Sequence, residues 1–364
     1  MASCDMEQGV NRGLPKLKLG DRPYTWYEFL PAWIMYLPVV VYWLLLAVRY
    51  RSWGLPMLAN PNIPLGGMVG ESKAGILSQA GNVATPFILP WVSVARTDTS
   101  DDVMLAQALR EMALAKIDFP IVAKPDLGCR GAGVSKCDSK EELRQYIRTF
   151  PHHRVFLIQQ LAPWSAEAGV FYIRHPHAER GRIVSLTLKY RPTVIGDGTH
   201  TIQQLIRKHA RARRLAGVYE AYCRNRLDDI PALGEEVVLG FLGSHCRGSI
   251  FRDGADWITP DLEKVFDRIL QDVPEFYYGR LDIKFDTIQS LARGERFSII
   301  EINGASSEQT HIWDPKFNIF ITLHVLLNQY RILFSIGEAV RRSGHKVPSA
   351  WQMIKTWIRE LRAT

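Results

Sequence analysis

The chain has 364 residues, 47% hydrophobic and 23% charged, which excludes a disordered protein and gives length for one large lobed domain or two domains. A formal net charge of +8 points to anionic partners (nucleotide, lipid headgroup or nucleic acid) without choosing among them. Five cysteines form no CxxC pair, which argues against a zinc site and suits a reducing compartment.

The first 23 residues are polar, punctuated by Gly and Pro, and carry no cleavable signal pattern. Residues 29–48, FLPAWIMYLPVVVYWLLLAV, hold no charge over twenty positions, enough to cross a bilayer. Trp33, Tyr36, Tyr42 and Trp43 are aromatics of the kind found at membrane interfaces, and Arg49 and Arg51 follow. Pro31 and Pro38 disfavour a straight span and suit a re-entrant or interfacial segment. A buried core helix is the competing reading. Lys16, Lys18 and Arg22 precede the stretch as the arginines follow it, so its orientation is not set.

Beyond residue 60 the pattern is α/β. Residues 103–117 have helical composition and spacing. FPIVAK (119–124) and RVFLIQQL (154–161) read as strands. The intervening SKEELRQYI reads as a helix with a serine N-cap and acids in its first turn. GVFYIRH and RIVSLTLKY form a hairpin pattern, and TIQQLIRKHARARR a helix with a basic end. YYGRLDIKFD (277–286) and RFSIIEING (296–304) are strands. The C-terminal stretch spaces Trp351, Ile354, Trp357, Ile358 and Leu361 along one helical face. That stripe suits core packing, with a basic amphipathic helix on an anionic membrane as the alternative.

Two places carry chemistry. In FPIVAKPDLGCRGAGVSK a strand ends in Lys124-Pro125 and runs into Gly128, Gly131 and Gly133 around Arg130. Backbone N–H groups reach phosphate oxygens closely where no Cβ intervenes, and Lys and Arg neutralise the charge. A glycine hairpin with incidental basic residues is the bland alternative. In GRLDIKFD, period two places Arg280, Asp282 and Lys284 on one face; in FSIIEING, Glu301 and Asn303 share a face. If the strands pair, an aspartate, a glutamate and an asparagine converge, the hard oxygen set that suits Mg²⁺ beside phosphates. A solvated face with Arg280 offsetting Asp282 is the competing reading.

The order FPIVAKPDLGCRGAGV, FLIQQLAPWSAEAGV, GRLDIKFD, IIEING resembles the ATP-grasp ligases, including the D-alanine–D-alanine ligases. VIGDGTHTIQQLI (194–206) is similar to a segment of cyanophycin synthetase. The resemblance covers roughly residues 60–330. It implies an ATP-grasp fold of α+β lobes with nucleotide between them. The N-terminal region would be 1–59, the ATP-grasp domain 60–340 and the basic amphipathic C-terminal helix 341–364. Within the domain, the flexible nucleotide lobe would fall near 119–185 and the metal and substrate lobe near 186–340.

By the same resemblance Lys73 and Lys124 are nucleotide-binding lysines, Gly128 to Gly133 with Arg130 the loop over the phosphates, and Gln159, Gln160 and Leu161 the adenine hinge. Gln159 stands where many relatives carry glutamate; its carbonyl oxygen can accept from an adenine amine. Glu167 falls where a carboxylate meets ribose, and Lys189 resembles a further phosphate-binding lysine. Asp282, Glu301 and Asn303 match the Mg²⁺ ligands of a two-ion site that Mn²⁺ would also suit, and Arg280 the arginine facing the oxyanion. NGASSEQTHIWDP, after the metal strand, offers Ser306, Ser307, Glu308 and His311 for substrate recognition, with a plain capping turn as the alternative; His245 is another candidate.

The implied activity is ATP-dependent activation of a carboxylate as an acylphosphate and its joining to an amine. The substrates would be small or lipid-linked, and the chain would sit in the cytoplasm or on the cytoplasmic face of the membrane. A kinase on the same fold and a catalytically inactive membrane-associated nucleotide-binding protein are the rivals. Nucleic-acid binding is not expected, since RKHARARR (207–214) lacks interleaved aromatics.

Overall fold

The computed structural model describes residues 9–17, 24–128, 131–240, 243 and 248–363. The helices are α1 (Ala32–Arg49), α2 (Lys73–Leu77), α3 (Asp101–Leu114), α4 (Lys140–Thr149), α5 (Ile202–Lys208), α6 (Ala216–Tyr222), α7 (Pro260–Gln271), α8 (Ile288–Ala292), α9 (Ile319–Arg342) and α10 (Ala350–Ala363). The strands are β1 (Trp91–Ala95), β2 (Ile121–Pro125), β3 (Ser135–Cys137), β4 (Val155–Gln160), β5 (Ala166–Ile173), β6 (Arg182–Tyr190), β7 (Thr193–Ile195), β8 (Glu236–Val238), β9 (Ile250–Asp253), β10 (Tyr278–Phe285) and β11 (Phe297–Asn303).

They build a four-stranded sheet in the order β1-β4-β2-β3, a five-stranded sheet β11-β10-β5-β6-β9, and the small pair β7-β8. The mixed α/β class expected from the sequence is therefore present. One feature differs. The four-stranded sheet ends with β4, and β5 is the centre of the other sheet. The break between sheets falls at residues 161–165, upstream of the boundary expected near 185. A strand's sequence states its periodicity and not its partner, and β5 pairs with β10 and β6 across eight and seven residues.

The four-stranded sheet packs α3 and α4 over one core of Val94, Met104, Leu105, Ile121, Leu143, Ile147 and Phe156. Ser100 caps α3 by accepting from Val103 N, and Ser139 caps α4 by accepting from Glu142 N, each with acids in the first turn. Lys116, at φ +55°, stops the helix short of the expected 117. In β10, Leu281, Ile283 and Phe285 point into the main core with Leu262, Phe266 and Ile269 of α7. Each such side chain stabilises the sheet by about 1.5–3 kcal/mol.

The opposite face of β10 begins with Tyr278 beneath α9, where Phe171, Leu333, Ile336 and Val340 form a second core. It then turns polar at Arg280.

The helix α9 is long and apolar enough to cross a membrane by length and composition, but it is built into the fold. Gln329 donates to the Tyr278 hydroxyl and accepts from Gln309 N, and a Cβ on Gly337 would lie 2.0 Å from Leu55 O. The helix α1 continues through Pro38 and lays Met35, Val39 and Leu46 against Leu326 and Phe334 of α9.

Two further readings are corrected. The stretch from Thr201 gives α5 up to Lys208, after which His209 is extended and only a 3₁₀ turn follows. Arg211 turns inward there, 2.6 Å from Glu28 with both side chains buried, so part of the basic run is core. The stripe on α10 does not pack into the core: Trp351, Ile354, Trp357 and Ile358 are exposed.

Candidate active site

Antiparallel pairing of β10 with β11 sets Asp282 directly opposite Glu301 and Arg280 opposite Asn303. Directly opposed residues share a face, so the three oxygen-bearing side chains and the arginine expected to converge do so. The register shifts by one between Asp282 and Ile283, a bulge that leaves Ile300 without a ladder partner. Its carbonyl accepts instead from Lys124 Nζ at 2.8 Å, and Lys124 also donates to Gln159 Oε1 at 2.8 Å. Leu89 N donates to Ile299 O at 3.2 Å alongside. These bonds join the two sheets at the site.

Asp282 accepts from Arg280 Nε at 3.0 Å and from Lys189 Nζ at 2.9 Å. Burial alone would raise its pKa, and the two cations overcome that and hold it below the usual carboxylate range. Glu167 behaves alike: burial opposes ionisation, yet Lys284 at 2.7 Å and Lys189 at 3.1 Å hold it at about 2. Lys189 is raised in turn, by Asp282 and Glu167 against the effect of burial. Gly169 leaves the room this packing needs, since a Cβ there would meet Arg280 Cδ at 3.1 Å.

Glu301 is the most open of the acids, 27% exposed, with Lys73 Nζ at 3.7 Å. Lys73 also donates to the carbonyls of Asp126 and Gly128. The lysine is aimed by the start of α2, where Ser72 and Asp126 bond each other and Asp126 accepts from Ala74 N. Burial lowers Lys124 to about 8.

Gly128, Gly131 and Gly133 have φ of +131°, +72° and +69°, a region that side chains rarely enter. Arg130 lies outside the described residues, as does His245. In the expected hinge Gln159 is buried, whereas the Gln160 side chain turns away to Asp118 and Pro120. Leu161 N donates to Pro120 O at 3.3 Å.

Of the expected recognition residues, Ser306 lies near Glu71, and Ser307 donates to Gly304 O at 2.6 Å, as a turn residue does. The Glu308 carbonyl accepts from Arg280 Nη1 at 3.4 Å, and its carboxylate accepts a short bond from Tyr36 of α1. His311 is buried against the Phe317 ring edge, which lowers its pKa.

Three residues here escape sequence reasoning. Glu71 accepts from Gly304 N and is raised to about 8, chiefly by burial. Asp126 and Tyr36 are the others. Glu71 and Asp126 flank the two recognised lysines in GESK and KPD, the one signal that could have found them.

Among the described residues no three His, Cys, Asp or Glu side chains cluster as metal ligands; Asp282, Glu301 and Asn303 together offer a mixed set of carboxylate and amide groups. The buried Asn303 amide nitrogen has no partner. Amide nitrogen and oxygen exchange places by a flip, which would aim an oxygen at the same spot. Hard oxygen donors of this kind fit Mg²⁺. Surface clefts of about 390 and 380 Å³ lie elsewhere, around Trp26 and around Arg49.

No protein-family model and no curated protein matches the chain. Solved structures do resemble it. A bifunctional glutathione synthetase from Pasteurella multocida is 15% identical, over 71% of this chain and 36% of its own, with a TM-score of 0.38. The VanG D-Ala:D-Ser ligase from Enterococcus faecalis is 12% identical over 72% and 62%, with a TM-score of 0.39. The D-alanine–D-alanine ligase from Bacillus anthracis is 14% identical over 75% and 71%, with a TM-score of 0.41. The chain thus spans about a third of the first and under two thirds of the second.

Proposed function

We propose that the chain is an ATP-dependent ligase of the ATP-grasp type that activates a substrate carboxylate as an acylphosphate and joins it to an amine. One observation carries the reading: β10 and β11 bring Asp282, Glu301 and Asn303 together, with Lys73, Lys124 and Lys189 arriving from three other segments. A solvated sheet face has no use for so many buried charges, since each costs several kcal/mol to desolvate.

On this reading ATP lies between the sheets, with the phosphates under Gly128–Gly133 and the adenine at Gln159–Leu161. Glu167 is assigned to the ribose end, and the turn from Ser306 to His311 to substrate. Asp282, Glu301 and Asn303 would hold Mg²⁺, or Mn²⁺, which would neutralise charge on the phosphates.

A substrate carboxylate oxygen attacks the γ-phosphorus, the bond to the β-phosphate oxygen breaks, and ADP leaves. The amine nitrogen then attacks the acyl carbon. The tetrahedral intermediate expels phosphate, and the nitrogen loses a proton. Lysines 73, 124 and 189 position and neutralise the phosphates. Arg280 bonds Asp282 through Nε and the Glu308 carbonyl through Nη1, so it spans the cation site and the acceptor turn, where it faces the oxyanion. Tyr36 ties that turn to α1, which favours a membrane-proximal or lipid-linked substrate at the cytoplasmic face.

The test is a screen of carboxylates and amines for ADP release, with hydroxylamine present. An acylphosphate yields a hydroxamate, whereas a kinase acting on a hydroxyl yields none. A nucleotide-binding protein without activity would bind ATP and release no ADP.

A further inference from the structure

We infer that α1 is a monotopic anchor that lies flat in an anionic bilayer surface, buried through its outer face rather than crossing the membrane. The inference deepens the membrane-proximal reading above by naming the partner and the face that meets it.

Trp33, Leu37, Val40, Leu44, Leu45 and Val48 are each more than half exposed. Trp33, Leu37, Val40, Leu44 and Val48 are spaced by three and four residues along one side of an eighteen-residue helix, and Leu45 flanks that stripe. The other side, Met35, Val39 and Leu46, is buried against α9. A helix apolar all round requires an apolar medium on every side, and here the protein provides it on one side only.

Charge says what covers the other. Arg49 ends the helix and Arg51 follows in the next turn, both exposed, and Arg49 shares a cleft of about 380 Å³ with Arg331, Tyr42 and Tyr50. Guanidinium groups beside an acyl-chain face match anionic headgroups. At the other end Trp26 and Trp33 are exposed, the amphipathic rings that favour the headgroup level. A second helix, α10, likewise exposes Trp351 and Trp357 beside Lys355.

The same packing excludes an upright crossing. To stand in the bilayer α1 would have to leave Leu326 and Phe334, and α9 is fixed to the catalytic sheet through Gln329 and Tyr278.

The experiment is flotation of the full chain with vesicles of phosphatidylcholine alone and with added phosphatidylglycerol, compared with Leu37→Glu/Leu44→Glu and with Arg49→Glu/Arg51→Glu. Wild type is expected to float with the anionic vesicles, less so in high salt. The leucine double variant should lose at least ~tenfold in the bound fraction, and the arginine variant should lose the preference for phosphatidylglycerol. Because those leucines are solvent-exposed, an unchanged melting temperature is the folding control.

Quenching by brominated lipids reads the geometry, with Trp33→Phe and Val48→Trp reporting the two ends of the helix by difference from wild type. Shallow quenching at both ends from one leaflet supports a flat helix. Wild type remaining with the unbound fraction, equal flotation of the leucine variant, or deep quenching at either end overturns the proposal. So does a dimer that the leucine variant abolishes, which would make the stripe a contact between two copies. Flotation reads partitioning and the hydroxamate assay reads chemistry, so failure of one is distinguishable from failure of the other.

Discussion

Lys124 Nζ, from the four-stranded sheet, donates at 2.8 Å to the carbonyl of Ile300, the bulged residue of the five-stranded sheet. This bond puts a cation at the seam where a nucleotide would lie, and it makes the site sensitive to pH. Burial lowers Lys124 to about 8, so the charge is present below that value and lost as pH rises through it. The apparent KM for ATP should be flat near neutrality and rise above about pH 8. In Lys124→Met it should be high throughout and without that inflection. Steady-state kinetics across the range is the check, and a wild-type KM constant into strongly basic solution would contradict the assignment.

Glu167 makes the opposite prediction, for stability in acid. Its folded pKa of about 2 lies below its ordinary 4.5. Stability from its pairs with Lys189 and Lys284 is therefore full above the ordinary value and lost as pH falls from about 4.5 to about 2. Glu167→Gln should flatten that acid limb and cost roughly 3–5 kcal/mol near neutrality, because it leaves Lys284 buried without its carboxylate and Lys189 with Asp282 alone. Denaturant unfolding of both proteins across the acid range measures it.

Tyr36 donates to the Glu308 carboxylate, and on the proposed function it positions the turn assigned to the acceptor. Removing a hydrogen bond to a charged group costs about 1.5–3 kcal/mol. Tyr36→Phe is expected to raise the KM of the acceptor roughly tenfold or more, with the KM of ATP unmoved. A purely structural tyrosine would instead lower the melting temperature and disturb both substrates alike.

Gly133 has φ +69°, and a Cβ on it would sit 2.8 Å from Pro125 Cγ. Gly133→Ala should weaken ATP binding while sparing the core, since the strain of about 1 kcal/mol or more falls on the loop. Calorimetric ATP titration beside thermal melts distinguishes this from general destabilisation.

Period two was enough to put Arg280 with Asp282 on one face of its strand and Glu301 with Asn303 on one face of theirs, because alternation is a property of each strand alone; their convergence rests on the pairing of β10 with β11. The serine caps of α3 and α4 are equally local. What needs the partner strand was not legible. The bulge that frees the Ile300 carbonyl arises between β10 and β11, and the position of β5 depends on β10 and β6. Glu71 is a lone acid in the sequence; burial in the fold raises it to about 8, against the bond it accepts from Gly304 N. Arg211 sits in a run that reads as solvated charge, yet it is buried on Glu28, nearly two hundred residues earlier. The stripe on α10 illustrates the converse, since helical spacing shows that a face is apolar and cannot say whether protein or another medium covers it.

The most direct measurement is hydroxamate formation by wild type and Asp282→Asn under titration with Mg²⁺, with circular dichroism as the folding control. Wild type should trap an ATP- and carboxylate-dependent acylphosphate. The variant should fall by about 10²–10³ in rate while remaining folded. An Asp282→Asn protein that turns over ATP at the wild-type rate at ordinary Mg²⁺ would contradict the proposed site.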